Sequence, residues 1–263
     1  MNRPIRIGMH LYPEHTDYAG IRDAVLRAED AGVDLMFNWD HFFPLHGEPR
    51  GRHFEALSML GAWAESTSRI EIGTLVTCNS YRNPDLLADM ARTIDHISGG
   101  RYVLGIGAGW FPPDYLEYGY EFGTAGSRLS DLEQALPRIR RRWAALNPQP
   151  VRDIPILIGG AGERRTLRYA AEHADVWHWH HLDELSVLEH KNAVLDRHCA
   201  DIGRDPSQIE RAVGVLTQRP NGIADKLAAF GTTMFTVGVP SPDYDLSLIR
   251  EWLEWRDAVS PDS

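Results

Sequence analysis

Short β-branched runs alternate with amphipathic segments from one end of the chain to the other, and this alternation restricts the fold more than any other feature. Residues 5–9, 33–37, 70–77, 102–106, 156–158, 175–177, 211–216 and 234–237 read as eight strands. They are close to continuously apolar, as strands covered on both faces must be. Residues 21–31, 54–66, 86–97, 129–143, 166–173, 185–202, 223–230 and 246–258 read as eight helices that follow them in turn. Repeated strand–helix units favour a parallel sheet, because each crossover must return the chain to the same edge. Eight such units in 263 residues fit a closed α/β barrel, a (β/α)8 TIM barrel, as one domain over residues 1–263.

The remaining composition narrows the class. A net charge of −10 speaks against non-specific nucleic-acid binding. Cys78 and Cys199 are too few for a disulfide framework and fit a reducing compartment. No stretch approaches the roughly 18 apolar residues of a membrane span, and the first residues lack the pattern of a secretory leader. The expectation is a cytoplasmic protein with no membrane or nucleic-acid partner.

In such a barrel the chemistry lies where strands end and helices begin. The segments 10–17, 38–54, 77–85, 107–127, 159–165, 178–183, 217–222 and 238–245 carry eight of the twelve histidines: His10, His15, His41, His46, His53, His178, His180 and His181. Three of these segments hold recognisable motifs. Asp40-His41 follows the second strand, where such a pair either orients a ring and exchanges a proton or braces the loop. Gly105-Ile106-Gly107-Ala108-Gly109-Trp110 lets a flat ligand lie on bare backbone or forms a tight turn; its spacing is not the dinucleotide fingerprint. Gly159-Gly160-Ala161-Gly162-Glu163-Arg164-Arg165 opens a helix, whose free N–H groups suit a phosphate.

Taken in order, these motifs resemble the luciferase-like monooxygenase superfamily. Asp40-His41, Gly73-Thr74-Leu75-Val76-Thr77 with Arg82-Asn83-Pro84, Ile97-Ser98-Gly99-Gly100-Arg101, the glycines up to Trp110 and Pro155-Ile156-Leu157-Ile158-Gly159-Gly160-Ala161-Gly162 carry the likeness. They are most similar to its deazaflavin-dependent branch, which uses coenzyme F420. The resemblance implies an F420-dependent oxidoreductase, a reductase passing hydride to an activated C=C or C=N bond, with an FMN-dependent monooxygenase using reduced flavin and O₂ as the alternative. It implies catalytic positions at His41, Asp40 and Trp110. It implies cofactor contacts from Asp40, Leu75, Val76, Thr77, Cys78, Ala108, Gly109, Gly159, Gly160, Gly162, Glu163 and Arg164, and a cis peptide between Leu75 and Val76. Trp110 stands where some deazaflavin dehydrogenases carry a glutamate, which weighs against a sugar-phosphate substrate.

The junction between the fourth helix and the fifth strand is shorter than these families usually have, and the loop 217–222 after the seventh strand is also brief. Read as lost roofing, these imply an open site and a bulky substrate, a peptide or natural product. His178 and His180 share a face and invite a metal reading, but one such pair is short of the three protein ligands of a catalytic zinc, so no metal is expected. An aromatic pocket wall from Phe42, Phe43, Trp110, Phe111, Tyr115, Trp177 and Trp179 is the alternative. Arg138, Arg140, Arg141 and Arg142 read as a solvated face paired with Asp131 or Glu133. Leu60, Trp63, Leu87 and Met90 are candidates for a homodimer face, with core packing as the default.

Overall fold

The computed structural model describes residues 3–180 and 184–259. Its nine strands are β1 (Arg6–Leu11), β2 (Leu35–Asn38), β3 (Glu71–Thr74), β4 (Thr77–Cys78), β5 (Tyr102–Gly107), β6 (Ile156–Gly159), β7 (Val176–Trp179), β8 (Glu210–Leu216) and β9 (Thr232–Val239). All pairings between them are parallel. The order runs β3-β2-β1-β9-β8-β7-β6-β5-β4, and β3 also pairs with β5, which closes the sheet on itself. β3 and β4 are one barrel strand interrupted at Leu75–Val76, so the architecture is a (β/α)8 barrel.

The helices around it are α1 (Tyr18–Ala31), α2 (Ala56–Ser66), α3 (Pro84–Ser98), α4 (Pro112–Tyr118), α5 (Ala125–Ala145), α6 (Thr166–His173), α7 (Leu185–Asp201), α8 (Ile223–Ala229) and α9 (Ser247–Val259). Their ends follow local chemistry. Asp17 caps α1 by accepting from the Gly20 amide, and Gly32 ends it in the left-handed region. Thr124 and Ser127 form a capping box on α5. The sequence reading places these elements but not α4, a short extra helix between β5 and α5.

Side chains alternate across each strand. One set, with Leu35, Phe37, Val103, Leu157, Val176, Ala212 and Met234, fills the barrel interior. The other packs outward beneath the helices in a larger cluster. Leu60, Trp63 and Leu87 belong to that cluster, so the default reading of these candidates as core holds. Trp177 is also outward and fully buried, and its indole N–H donates to the Gly160 carbonyl at 2.8 Å. It walls the helix layer, not a ligand pocket.

The short junction 146–155 sits at the opposite end from the expected roof. Arg152 donates to Glu71, at the start of β3, and to the Tyr102 carbonyl, at the start of β5, at 2.7 and 3.1 Å. A segment that leaves a helix and enters a strand must lie at the N-terminal rim of the barrel. Its length therefore has no bearing on the openness of the strand C-termini. The arginines of α5 also pair differently from the reading. Arg138 binds Asp85 and Arg142 binds Asp89, both on α3, rather than Asp131 or Glu133.

Candidate active site

At the C-terminal ends of the strands lies a cavity of about 670 Å³. It is built on the interruption between β3 and β4. The Leu75–Val76 peptide is cis, as the resemblance implies. The Val76 side chain turns toward glycines: a Cβ added to Gly107 or Gly159 would come within 2.8 or 3.0 Å of its methyl groups. Only bare backbone on β5 and β6 leaves room for this bulge. At Gly109, with φ +82°, a Cβ would meet the Tyr115 hydroxyl at 2.0 Å and Cys78 Sγ at 2.6 Å. The glycines at these strand ends therefore have a steric cause.

Asp40 and His41, adjacent in sequence, do different work. The Asp40 carboxylate accepts from Arg82 at 2.6 and 2.9 Å and from the Cys78 amide at 2.9 Å. It ties the end of β2 to the far side of the bulge. Asp40 and Glu55, next to the Arg82 guanidinium, hold its pKa above the ordinary value despite the opposing effect of burial. The His41 Nδ1–H donates to Asp114 Oδ2 at 2.7 Å. Tyr81 Oη–H donates to the same oxygen at 3.0 Å, and the Phe42 amide to Oδ1 at 3.2 Å. Asp114 is fully buried in the first turn of α4. With Nδ1 engaged, the other ring nitrogen of His41 is on the side away from Asp114, and His41 lines the cavity. Burial, with Cys78 and Asp114 nearby, pushes the Tyr81 phenol far up, so Tyr81 stays a donor.

Of the expected site residues, the structure brings together Asp40, His41, Leu75, Val76, Thr77, Cys78, Ala108, Gly109, Trp110, Gly159 and Gly160 around this one cavity. Gly162, Glu163 and Arg164 lie farther along the β6–α6 segment and do not line it. Glu163 is engaged by Lys191 and His190 of α7, at 2.6 and 3.1 Å. Trp110 stands at the mouth, 63% exposed, with its ring edge-on to His41 at 5.7 Å. Of the expected aromatic wall, Trp110 and Phe111 face the cavity; Tyr115 is buried behind Cys78, and Phe42 stacks on Tyr118 at 4.0 Å. The histidines expected in loops divide: His10 lies in β1 and His178 in β7, both pointing inward, and His181 falls outside the described residues. Among the described residues, no three side chains of metal-ligating type stand close enough to hold an ion.

Several site residues escape the sequence reading. Asp114 is 73 positions from His41, and its only local signal is an acid following two prolines at a helix start. Tyr12 and Trp39 line the cavity, with ring centres 4.6 Å apart. Glu14, almost wholly buried, accepts from the Leu45 amide, the His46 amide and His46 Nδ1, and so clips the loop after β2 to the loop after β1.

The model of the luciferase-like monooxygenase family matches residues 1–219. The chain belongs to the luciferase-like monooxygenase family. An F420-dependent glucose-6-phosphate dehydrogenase from Amycolatopsis mediterranei (strain U-32) is 34% identical to it over 141 residues. That match covers 52% of this chain and 42% of the relative, so the chain spans less than half the length of that relative. Two solved structures share the fold. An F420-dependent secondary alcohol dehydrogenase, in complex with an F420-acetone adduct, superposes with a TM-score of 0.83 at 18% identity over 95% of this chain and 98% of that one. The coenzyme F420-dependent tetrahydromethanopterin reductase of Methanopyrus kandleri gives 0.75 at 16% identity, over 95% and 98%.

Proposed function

We propose that this luciferase-like protein is a coenzyme F420-dependent oxidoreductase. In this reading it is a reductase that passes hydride from the reduced cofactor to an activated C=C or C=N bond. The observation that carries the reading is the His41–Asp114 pair at the edge of a cavity floored by the Leu75–Val76 bulge and the backbone of Gly107–Gly109 and Gly159. The F420-dependent relative at 34% identity supports the choice of cofactor. The residues present fit a flat ring, since the Leu75–Val76 bulge and the backbone of Gly107, Gly109, Gly159 and Gly160 line the cavity. Leu75, Val76, Thr77, Cys78, Ala108 and Gly109 would hold the ring, and the Gly159-Gly160 turn with Gly162, Glu163 and Arg164 beyond it would hold the phosphate-bearing side chain. When bound, the deazaflavin supplies two-electron hydride chemistry.

The protein's own part is positioning and proton handling. Asp114 fixes the tautomer and orientation of His41. His41 then gives a proton to the substrate atom next to the carbon that receives hydride. Tyr81 and the Phe42 amide keep the Asp114 carboxylate turned toward His41. Asp40 and Arg82 keep the bulge in place. Trp110 would flank the substrate at the mouth. Its exposure favours a substrate whose reacting end enters while the rest projects outward, such as a natural product or a peptide. The test is consumption of reduced F420 with panels of unsaturated carbonyl compounds and imines. Turnover by His41→Ala equal to that of the wild type would remove His41 from the chemistry.

A further inference from the structure

The inner wall of the cavity carries a histidine that the hydride-transfer reading leaves unused. His10 is 2% exposed, and neither of its ring nitrogens has a hydrogen-bond partner. Among the described residues it is the only cavity-lining residue with buried polar atoms left unsatisfied. Its neighbour on the same wall is accounted for, since His178 Nε2 meets Thr236 Oγ1 at 2.8 Å. The His10 ring is enclosed edge-on by Tyr12 and Trp39, each at 5.4 Å, and by His180 at 5.7 Å. Leaving two polar atoms unpaired in such a place incurs their full desolvation cost, unless a ligand supplies the partner.

The charge of the wall defines that ligand. Among the described residues, no lysine or arginine lines the cavity. Burial, with the nearby histidines adding to it, drives the His10 imidazole well below its ordinary pKa, and burial does the same to His178. The wall therefore offers neutral donors and acceptors between aromatic rings. A carboxylate or phosphate pushed against His10 and His178 would be desolvated with no lysine or arginine of the cavity to meet it. A neutral imidazole has one N–H donor and one acceptor nitrogen, which suit a carbonyl, an amide or a hydroxyl.

We propose that His10 is the specificity-determining residue of this site, hydrogen-bonding an uncharged carbonyl, amide or hydroxyl group of a substrate while the wall around it rejects anions. The proposal deepens the oxidoreductase reading, and rests on it for the presence of a substrate beside the cofactor. It separates this chain from enzymes that act on phosphorylated sugars.

The test uses three probes of similar shape: benzamide, benzoate and phenyl phosphate. They are titrated calorimetrically into protein saturated with oxidised F420. Cofactor affinity is measured separately through quenching of its own fluorescence. Benzamide is expected to bind at least about tenfold more tightly than either anion. His10→Leu should weaken benzamide about tenfold, the loss of one buried hydrogen bond. His10→Gln should recover most of that loss, and both variants should bind F420 as the wild type does. An anion bound as tightly as benzamide, an unaltered benzamide affinity in His10→Leu, or no binding of any probe overturns the proposal. If F420 itself does not bind, the cofactor reading fails instead, and the same ranking of probes on the chain alone decides the role of His10.

Discussion

His41 Nδ1 lies 2.7 Å from Asp114 Oδ2, a contact that joins the end of β2 to the first turn of α4 across 73 positions of sequence. Asp114→Asn keeps the shape but replaces the acceptor oxygen or turns an amide N–H toward the ring. It is expected to lower kcat on the order of 10²-fold and to move the pH–rate profile, with cofactor affinity unchanged. His41→Ala should cost about 10² to 10⁴-fold. A profile for Asp114→Asn that overlays the wild type would reduce Asp114 to a packing residue.

Arg82 and Asp40 form a buried ion pair across the bulge, with side-chain exposures of 10% and 1%. Removing Arg82 leaves the Asp40 carboxylate with the Cys78 amide but without its counter-ion. Arg82→Met is expected to destabilise the fold by about 3–5 kcal/mol and to weaken cofactor binding as the bulge loosens. Urea unfolding and F420 titration of the same variant read both effects. An unchanged unfolding midpoint would show that the pair contributes nothing to the barrel.

Two glycines should respond in opposite directions. Gly109→Ala forces a side chain into contact with Tyr115 and Cys78 in the left-handed region, and should cost about 1–3 kcal/mol. Gly61, inside α2, has nothing within 4 Å of an added Cβ. Gly61→Ala should therefore stabilise the protein by about 0.5–1 kcal/mol. Thermal unfolding of the two variants checks the pair.

Buried histidines set the acid limit of stability. Burial pushes the His53 imidazole down to about 4, and its Nε2 accepts from Trp39 Nε1–H at 3.0 Å. Burial lowers His10 and His178 as well. Between pH 6.5 and 4 the unfolded chain binds protons at His53 that the folded chain does not. Stability from this group is full above pH 6.5, is lost as the pH falls toward 4, and changes no further below it. Each such histidine contributes up to about 1.4 kcal/mol per pH unit to the slope. His53→Gln should flatten the decline of unfolding free energy by about one proton over that range. An unchanged slope would mean that His53 titrates alike in both states.

The barrel was legible because every strand is buried on both faces and every helix has one apolar side, so periodicity reports each element directly. The break in the third strand, read over 70–77, was legible only through the resemblance, not from periodicity. It depends on Val76 finding Gly107 and Gly159, which stand on other strands. The cradle residues could be read only through the resemblance, since glycines and an Asp-His pair taken alone fit a turn or a braced loop as well. Asp114 could not, because its partner is distant and α4 is too short for a periodic pattern. That His10 and His178 line one cavity follows from closure of the barrel, which single segments do not reveal. The helix-to-strand junction fails as a sign of a lost roof for a topological reason: it closes the end of the barrel that holds no chemistry.

Equilibrium titration with oxidised F420 and with FMN, each followed by its own fluorescence, tests the central claim most directly. Saturable binding of F420 at a single site, weakened by Gly107→Val through its clash with Val76, is the expected result, with FMN much weaker. Tight binding of FMN without binding of F420 would contradict it.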